Sequence, residues 1–285
     1  MSDMIATSTR LDNDPIQHVK ACAHNIRRNI LLMGRGKGDG YVGQGLGAAD
    51  IFAAVYFHAM RFDAGRLDWP DRDRFVLSVG HYSIALFASL VEMGVLQPQE
   101  LTSYGADESR LEMSACSTTP GVEVTGGSLG HGLSRAVGLA LGSRLSRRNF
   151  SVFNLLSDGE LQEGATWEAA MAASHYHLDR LIALVDMNQM QADGKVSSVM
   201  EVEPVADKWR AFGWDARTVN GNSVEDLLTE LQHAKQLTGQ PKVIICYTSM
   251  GKGVPIIEQR TKAHFVRVEP EEWDLALSQL EAGGI

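Results

Sequence analysis

The chain has 285 residues, a mass of 31.1 kDa and a formal charge of −9, and its 44% hydrophobic content is enough for the core of one large domain or two small ones. A sequence pI of about 5.5 argues against a nucleic-acid partner, while leaving room for a phosphorylated ligand held locally by a metal ion and backbone amides. Cys22, Cys116 and Cys246 are odd in number, far apart and without CxxC spacing, so they read as reduced thiols and not as a disulfide framework or zinc site. No signal-like N-terminus and no run of eighteen apolar residues is present, which predicts a cytoplasmic protein with no membrane partner.

From Pro15 to Met33, apolar residues recur at helical spacing (Ile16, Val19, Ala23, Ile26, Ile30, Met33) and predict a helix. The following GRGKGDGYVGQGLG holds seven glycines in fourteen residues and reads as a loop allowing close backbone approach. DIFAAVYFHAM then reads as a buried helix. FVLSVG, Phe75 to Gly80, is a short buried strand ending in a Gly80-His81 turn, and SIALFASLVEMG is a helix. Leu101 to Pro120 reads mostly as surface loop. VTGGSLGHGLSRAVGLALGSRL passes from a glycine-rich loop into a helix, whose Gly138 and Gly142 permit close contact with another element.

The later half alternates. VFNLLS, LIALVD, WDARTVN and KVIICYT read as strands; GATWEAAMAASHYH, VADKWRAFG and VEDLLTELQHAK read as the helices between them. Continuous apolar strands separated by amphipathic helices predict an α/β fold, with a mainly parallel sheet covered by helices on both faces. No linker divides the chain. It reads as one domain over residues 1–285, with a short N-terminal extension to about residue 14 and a C-terminal tail from about residue 265.

Open parallel sheets bind ligands beyond the carboxyl ends of their strands. Asp158 follows VFNLLS, and Asn188 follows LIALV thirty positions later, a distance that one crossover helix bridges. Asp158, the Asn188 amide oxygen and the Met190 carbonyl are oxygen donors suited to Mg2+, which commonly shares its coordination with phosphate oxygens. Gly159 would let the backbone approach those phosphates. Taken singly, Asp158-Gly159 and Asn188 read more readily as ordinary turn residues at strand ends, and it is the pair at crossover spacing that favours a site. A dinucleotide fingerprint is not met, because no GxGxxG follows a predicted strand, and GKGVP at Gly251 is not a Walker motif.

The run from Ser157 to Asn188 resembles the thiamine-diphosphate motif, which begins GDG and ends in Asn about thirty residues later. DRFVLSVGH, TPGVEVTGGSLGHGLSRAVGLALG, DGELQEGATWEA and TSMGKGV resemble, in the right order, the pyrophosphate-binding domain of the transketolase family, from about Ala21 to His264. The resemblance implies a thiamine diphosphate cofactor with Mg2+, or Ca2+, held by Asp158, Asn188 and the Met190 carbonyl. It places Gly127, Ser128, Leu129, Asp158, Gly159, Glu160, Asn188, His81 and His264 around the cofactor. His81 is expected near the diphosphate and substrate channel, and His264 near the donor sugar. Glu163 and Glu168 match acidic positions that communicate across a subunit contact. His131 stands where glutamine is usual, meeting the cofactor loop or capping its helix; His175 and His177 read as structural.

Two expected substrate-facing histidines are replaced, one by Tyr41 and the other by Ser114. A phenol with a pKa of about 10 shuttles protons poorly at neutral pH, and serine cannot charge. The cofactor site therefore looks intact and the donor-sugar site remodelled. The chain also ends about where the first transketolase domain ends, with no match to the glutamate that activates the cofactor. The expectation is the amino-terminal subunit of a split transketolase. Its C-terminal partner would supply the pyrimidine-binding domain and that glutamate, in an assembly with two copies of each chain. The implied reaction transfers a two-carbon ketol unit from a ketose, such as a sugar phosphate, to an aldose. The donor would be an unusual one, such as a branched apiose-derived or a sulfonated ketose. A thiamine-dependent 2-oxo acid decarboxylase or dehydrogenase component and an inactive regulatory subunit are the competing readings.

Overall fold

The computed structural model describes residues 14–260 and 264–284. Asp14 starts the first helix, α1 (Pro15–Lys37), by accepting from the Ile16 and Gln17 amides, and Gly38 ends it in the left-handed conformation at φ 87°. A two-residue strand, β1 (Asp39–Gly40), leads into α2 (Val42–Ala54), which continues as a π-helical turn over Val55–Ala59. β2 (Arg74–Leu77), α3 (Ser83–Glu92) and α4 (His131–Leu145) follow. Next come β3 (Val152–Ser157), α5 (Gly164–His175), β4 (Leu181–Met187), and a small hairpin of β5 (Met190–Gln191) and β6 (Gly194–Lys195). The chain goes on through α6 (Val196–Val199), α7 (Val205–Ala211), β7 (Asp215–Asn220), α8 (Val224–Ala234) and β8 (Lys242–Tyr247). It closes with α9 (Pro255–Glu258), β9 (Val266–Arg267) and α10 (Pro270–Ala282).

β2, β3, β4, β8 and β7 form one sheet in that order, and every neighbouring pair is parallel. Side chains alternate across it. Phe75, Leu77, Phe153, Leu155, Ile182, Leu184 and Ile244 enter a core shared with α1, α2, α3, α8 and α10. Val76, Val152, Leu156, Ala183, Val185, Val243 and Ile245 enter a second core shared with α4, α5 and α7. Both faces are covered, which is why the strands read as unbroken apolar runs. Ser157 pairs with Asp186, so β3 and β4 finish level and their following residues emerge side by side.

The glycine-dense stretch from Gly34 to Gly47 differs from its reading as a loop. Gly34 and Gly36 lie in α1, and Gly43, Gly45 and Gly47 lie in α2. Their use is close packing: a Cβ on Gly47 would stand 2.8 Å from the Ser249 carbonyl oxygen, and one on Gly34 2.5 Å from the Trp273 ring. Composition signals glycine without distinguishing a turn from a tight helix contact. Trp273 belongs to α10, within the stretch read as a tail; with Ala276 and Leu280 it is buried in the first core. The N-terminal extension lies almost wholly outside the described residues. Gly138 and Gly142 meet nothing within 4 Å, because α4 packs on the sheet through Leu133, Ala136, Val137 and Ala140. Among the described residues no helix is long and apolar enough to cross a membrane.

Candidate functional site

Asp158 leaves the end of β3 almost fully buried. Its Oδ1 accepts from the Gly159 amide at 2.7 Å and its Oδ2 from the Gln189 amide at 2.5 Å. Gln189 sits in the left-handed region, at φ 62°, and that turn brings the segment after β4 back to Asp158. Asn188 Oδ1 accepts from the Met190 amide at 3.0 Å, while Nδ2 donates to Asp186 Oδ2 at 2.7 Å and to the Tyr82 hydroxyl at 2.8 Å. Tyr82 in turn donates to Asp186 Oδ2 at 2.6 Å, and Thr248 donates to Asp186 Oδ1.

Burial and the neighbouring Asp186 push the Asp158 carboxyl up to about 7. Burial likewise raises Asp186, against the hydrogen bonds it receives from Thr248, Tyr82 and Asn188. No cationic side chain is among the groups that shift either acid. Two buried carboxylates without a counter-charge among the described residues, beside a carboxamide oxygen, are a hard-oxygen set that a divalent cation would neutralise. The residues fit Mg2+ with a diphosphate.

A second set of contacts seats the Gly127-Ser128-Leu129 loop. Gly126 and Gly127 lie directly on the turn after β2: a Cβ on Gly80 would stand 2.3 Å from the Gly127 nitrogen and 2.5 Å from Ser114 Oγ. Glu160 is fully buried below this loop. Its Oε1 accepts from the Gly130 amide at 2.6 Å and from Ser78 Oγ, which itself accepts from the Gly132 amide at 3.0 Å. Burial pushes Glu160 up to about 7. The structure thus joins Glu160 to the loop from beneath, leaving Gly127 and Ser128 exposed.

The four residues expected to face a substrate are near one another. Tyr41 stands 4.8 Å from the His81 ring and 5.7 Å from the His264 ring, and the two histidines are 5.6 Å apart. Burial, with His264 adding to it, lowers His81 to about 4, and burial also lowers His264. Both imidazoles are therefore neutral at neutral pH. The His264 Nδ1 is buried without a hydrogen-bond partner among the described residues. Ser114 Oγ donates to the Gly126 carbonyl at 3.4 Å. A cleft of about 1120 Å³ runs from Tyr41 and His264 past Phe265 to Asn188, Met190 and Thr248. Glu163 and Glu168 are exposed at the start of α5, and the Glu163 Cβ stands 2.8 Å from where a Cβ on Gly130 would lie.

Sequence reasoning passed over Tyr82, Thr248 and Ser78, gave Asp186 no role beyond its strand end, and did not single out Phe265, whose ring lies edge-on to Tyr41 at 5.1 Å. The one available signal was local: Asp186 precedes Asn188 by two along a strand and so shares its face. Tyr82 is 104 residues from Asp186 and carried no such signal.

A parallel α/β domain whose strand ends pair oxygen ligands with a glycine-rich loop defines a diphosphate-binding protein. The chain belongs to the transketolase family: its thiamine diphosphate binding domain matches residues 20–280. The chain is 50% identical over 263 residues to an uncharacterized transketolase family protein, y4mO, of Sinorhizobium fredii, covering 92% of this chain and 94% of that one. It is 38% identical to the 6-deoxy-6-sulfo-D-fructose transketolase subunit SqwG of a Clostridium strain, over 91% of this chain and 95% of that one. It is 34% identical to an apulose-4-phosphate transketolase subunit of Phocaeicola vulgatus, over 90% and 91%. Among solved structures it superposes on transketolase from Leishmania mexicana with a TM-score of 0.85 and 30% identity, over 93% of this chain but only 41% of that one. The chain thus spans about two fifths of the solved transketolases it matches, and nearly the full length of relatives named as subunits.

Proposed function

We propose that this chain holds the diphosphate of thiamine diphosphate through Mg2+, with Ca2+ as a substitute. With a separate C-terminal subunit, it transfers a two-carbon ketol unit from a ketose donor to an aldose. The observation that carries the reading is the meeting of Asn188 and Met190 with Tyr41 and His264 along one cleft, with Asp158 bonded to the Gln189 amide behind it and the His81 ring packed against Tyr41. Asp158, Asn188 and the Met190 carbonyl would hold the cation; Gly159 and the Gly127–Leu129 loop leave backbone room for the cofactor. When bound, thiamine diphosphate supplies a nucleophilic carbon and an electron sink for the two-carbon unit.

The chain's own residues bind, orient and keep protons in place. Neutral His81 and His264 each offer one donor and one acceptor to sugar hydroxyls. Tyr41 contributes a hydroxyl donor and an aromatic wall where a histidine is expected. Glu163 and Glu168, on an exposed helix start, suit a contact with the neighbouring subunit in an assembly of two copies of each chain.

A partner supplying the pyrimidine-binding domain and its activating glutamate is supported by the full-length match to proteins named as subunits. Those names also point to a sulfonated or branched ketose donor. The test is to purify the chain with its partner and assay two-carbon transfer from 6-deoxy-6-sulfo-D-fructose, apulose 4-phosphate and unbranched ketose phosphates, with thiamine diphosphate and Mg2+. Ketol transfer from one of these donors is the expected result. Carbon dioxide release from 2-oxo acids instead, or no cofactor binding with the partner present, would overturn the reading.

A further inference from the structure

We infer that Tyr82, Asp186 and Thr248 are positioning residues that fix which end of the Asn188 carboxamide faces the cation site, presenting its oxygen and holding its nitrogen away. The inference rests on the metal and diphosphate reading of this site given above.

A carboxamide has two ends of nearly equal shape and opposite chemistry, and only the oxygen binds a hard cation. At Asn188 the surroundings decide between them. Nδ2 lies 2.7 Å from Asp186 Oδ2 and 2.8 Å from the Tyr82 oxygen, so both of its hydrogens have an acceptor. The Tyr82 proton is committed to Asp186 Oδ2 at 2.6 Å, which leaves that hydroxyl only lone pairs to offer Asn188. A flipped amide would set its carbonyl oxygen against a carboxylate and a phenol oxygen with no proton to give. At the other end, Oδ1 faces the Met190 amide donor at 3.0 Å, so both ends select the same orientation.

The frame is stiff as well as selective. Asp186 is fully buried and Tyr82 nearly so, and Thr248 holds the Asp186 Oδ1 from beyond the end of β8. Asp186 and Asn188 project on one side of the chain because they are two apart at a strand end. His81 and Tyr82 divide the turn after β2 between them: one ring joins Tyr41 and His264, and the next supports Asn188. Partners of this kind behind a metal ligand typically change metal affinity by about 10–100-fold when lost.

The test uses the full chain purified with its partner subunit, titrated with Mg2+ at fixed thiamine diphosphate and followed by calorimetry, with the cofactor-free melting temperature measured alongside. Tyr82→Phe and Thr248→Val each remove one hydroxyl and keep the side-chain outline. The expected result is a rise of about 10-fold or more in the Mg2+ concentration giving half-saturation, with the melting temperature lowered by the lost buried bond but still well above the temperature of the titration. Asp186→Asn, which lets a carboxamide meet a carboxamide, is expected to be worse than either. Asn188→Ala and Asp158→Ala set the scale for a lost ligand. If these two weaken binding while Tyr82→Phe and Thr248→Val bind Mg2+ as the parent does, the positioning role is overturned and the site stands. If Asn188→Ala and Asp158→Ala also bind as the parent does, the site reading itself falls.

Discussion

The Gln189 amide donates to Asp158 Oδ2 at 2.5 Å, joining the ends of two neighbouring parallel strands across 31 residues of sequence. This bond, with the one from Gly159 to Oδ1, fixes the carboxylate while burial and Asp186 disfavour its charge. Folding therefore holds a carboxylate in place where burial disfavours its charge, a cost common at functional sites.

Asp158→Asn separates the two roles. Removing one of two neighbouring buried charges relieves repulsion but sets the new amide nitrogen against the Gly159 or Gln189 N–H, so the two effects oppose and the cofactor-free protein should melt near the parental temperature. Binding of thiamine diphosphate with Mg2+ should fall by about 100-fold or more, since a charged ligand is lost outright. Thermal melts and calorimetry on the same preparation check both, and unchanged Mg2+-dependent binding would remove Asp158 from the site.

Gly80→Ala tests the seat of the cofactor loop. The new Cβ would stand 2.3 Å from the Gly127 nitrogen and 2.6 Å from the Gly126 carbonyl carbon, both backbone atoms that cannot rotate aside. The loop must lift, at a stability cost of about 1–3 kcal/mol. Urea unfolding should show that loss, with weaker cofactor binding. Parental values for both would mean that the loop yields freely.

His81 supplies a pH signature. Its folded value is lowered to about 4 by burial and by His264, with Tyr41 and Tyr82 as the other rings around it. An unfolded imidazole titrates near 6.5. Above that pH both states are neutral and His81 adds no pH dependence. As pH falls from about 6.5 towards 4, the unfolded chain takes the proton first, so stability is lost on acidification. Asp158 and Glu160, whose values are raised, act with the opposite sign over part of this range, so the quantity to measure is parent minus His81→Asn. That difference should fall between pH 6.5 and 4 and be flat from 7 to 8. A flat difference throughout would show that His81 is not held neutral.

Much of the fold was legible because covered parallel strands leave long apolar runs, and VFNLLS, LIALVD and KVIICYT became β3, β4 and β8. The Asp158–Asn188 pair was legible through its crossover spacing. Helical glycines were not, because Gly34 and Gly47 answer to Trp273 and the Ser249 carbonyl, both more than two hundred residues away in the chain. The same holds for Tyr82 and Thr248, whose roles exist only once β2, β4 and β8 are assembled in one sheet. Sequence carries residues at the ends of strands more plainly than the distant side chains that hold them.

Arg27 and Asp50 join α1 to α2 as a buried ion pair. The guanidinium donates through Nη1 at 3.1 Å and Nη2 at 2.5 Å, and Nε donates to the Leu46 and Lys252 carbonyls. Arg27→Met leaves the Asp50 charge buried with Asn222 Nδ2, at 2.9 Å, as its remaining side-chain donor. The expected loss is about 3–5 kcal/mol. Arg27→Met combined with Asp50→Leu should recover much of it, because the uncompensated charge is gone. Denaturant titration of the three proteins checks this, and a loss below about 1 kcal/mol in the single variant would show that water reaches the pair.

Tyr41 and Ser114 mark where donor choice should be altered. Tyr41 fills the space between His81, His264 and Phe265 with an aromatic ring, and Ser114 is held against the Gly126 carbonyl with Gly80 directly behind it. A larger side chain at Ser114 has no room towards Gly80, so histidine there must turn away from the turn after β2. Tyr41→His with Ser114→His would restore two imidazoles able to donate and accept with the hydroxyls of an unbranched ketose phosphate. One added hydrogen bond in the transition state is worth about 1–2 kcal/mol, or about tenfold in rate. The double variant should therefore raise kcat/KM for an unbranched ketose phosphate about tenfold or more and lower it for the natural donor. Equal loss with every donor would show that Tyr41 and Ser114 maintain the cleft without choosing what enters it.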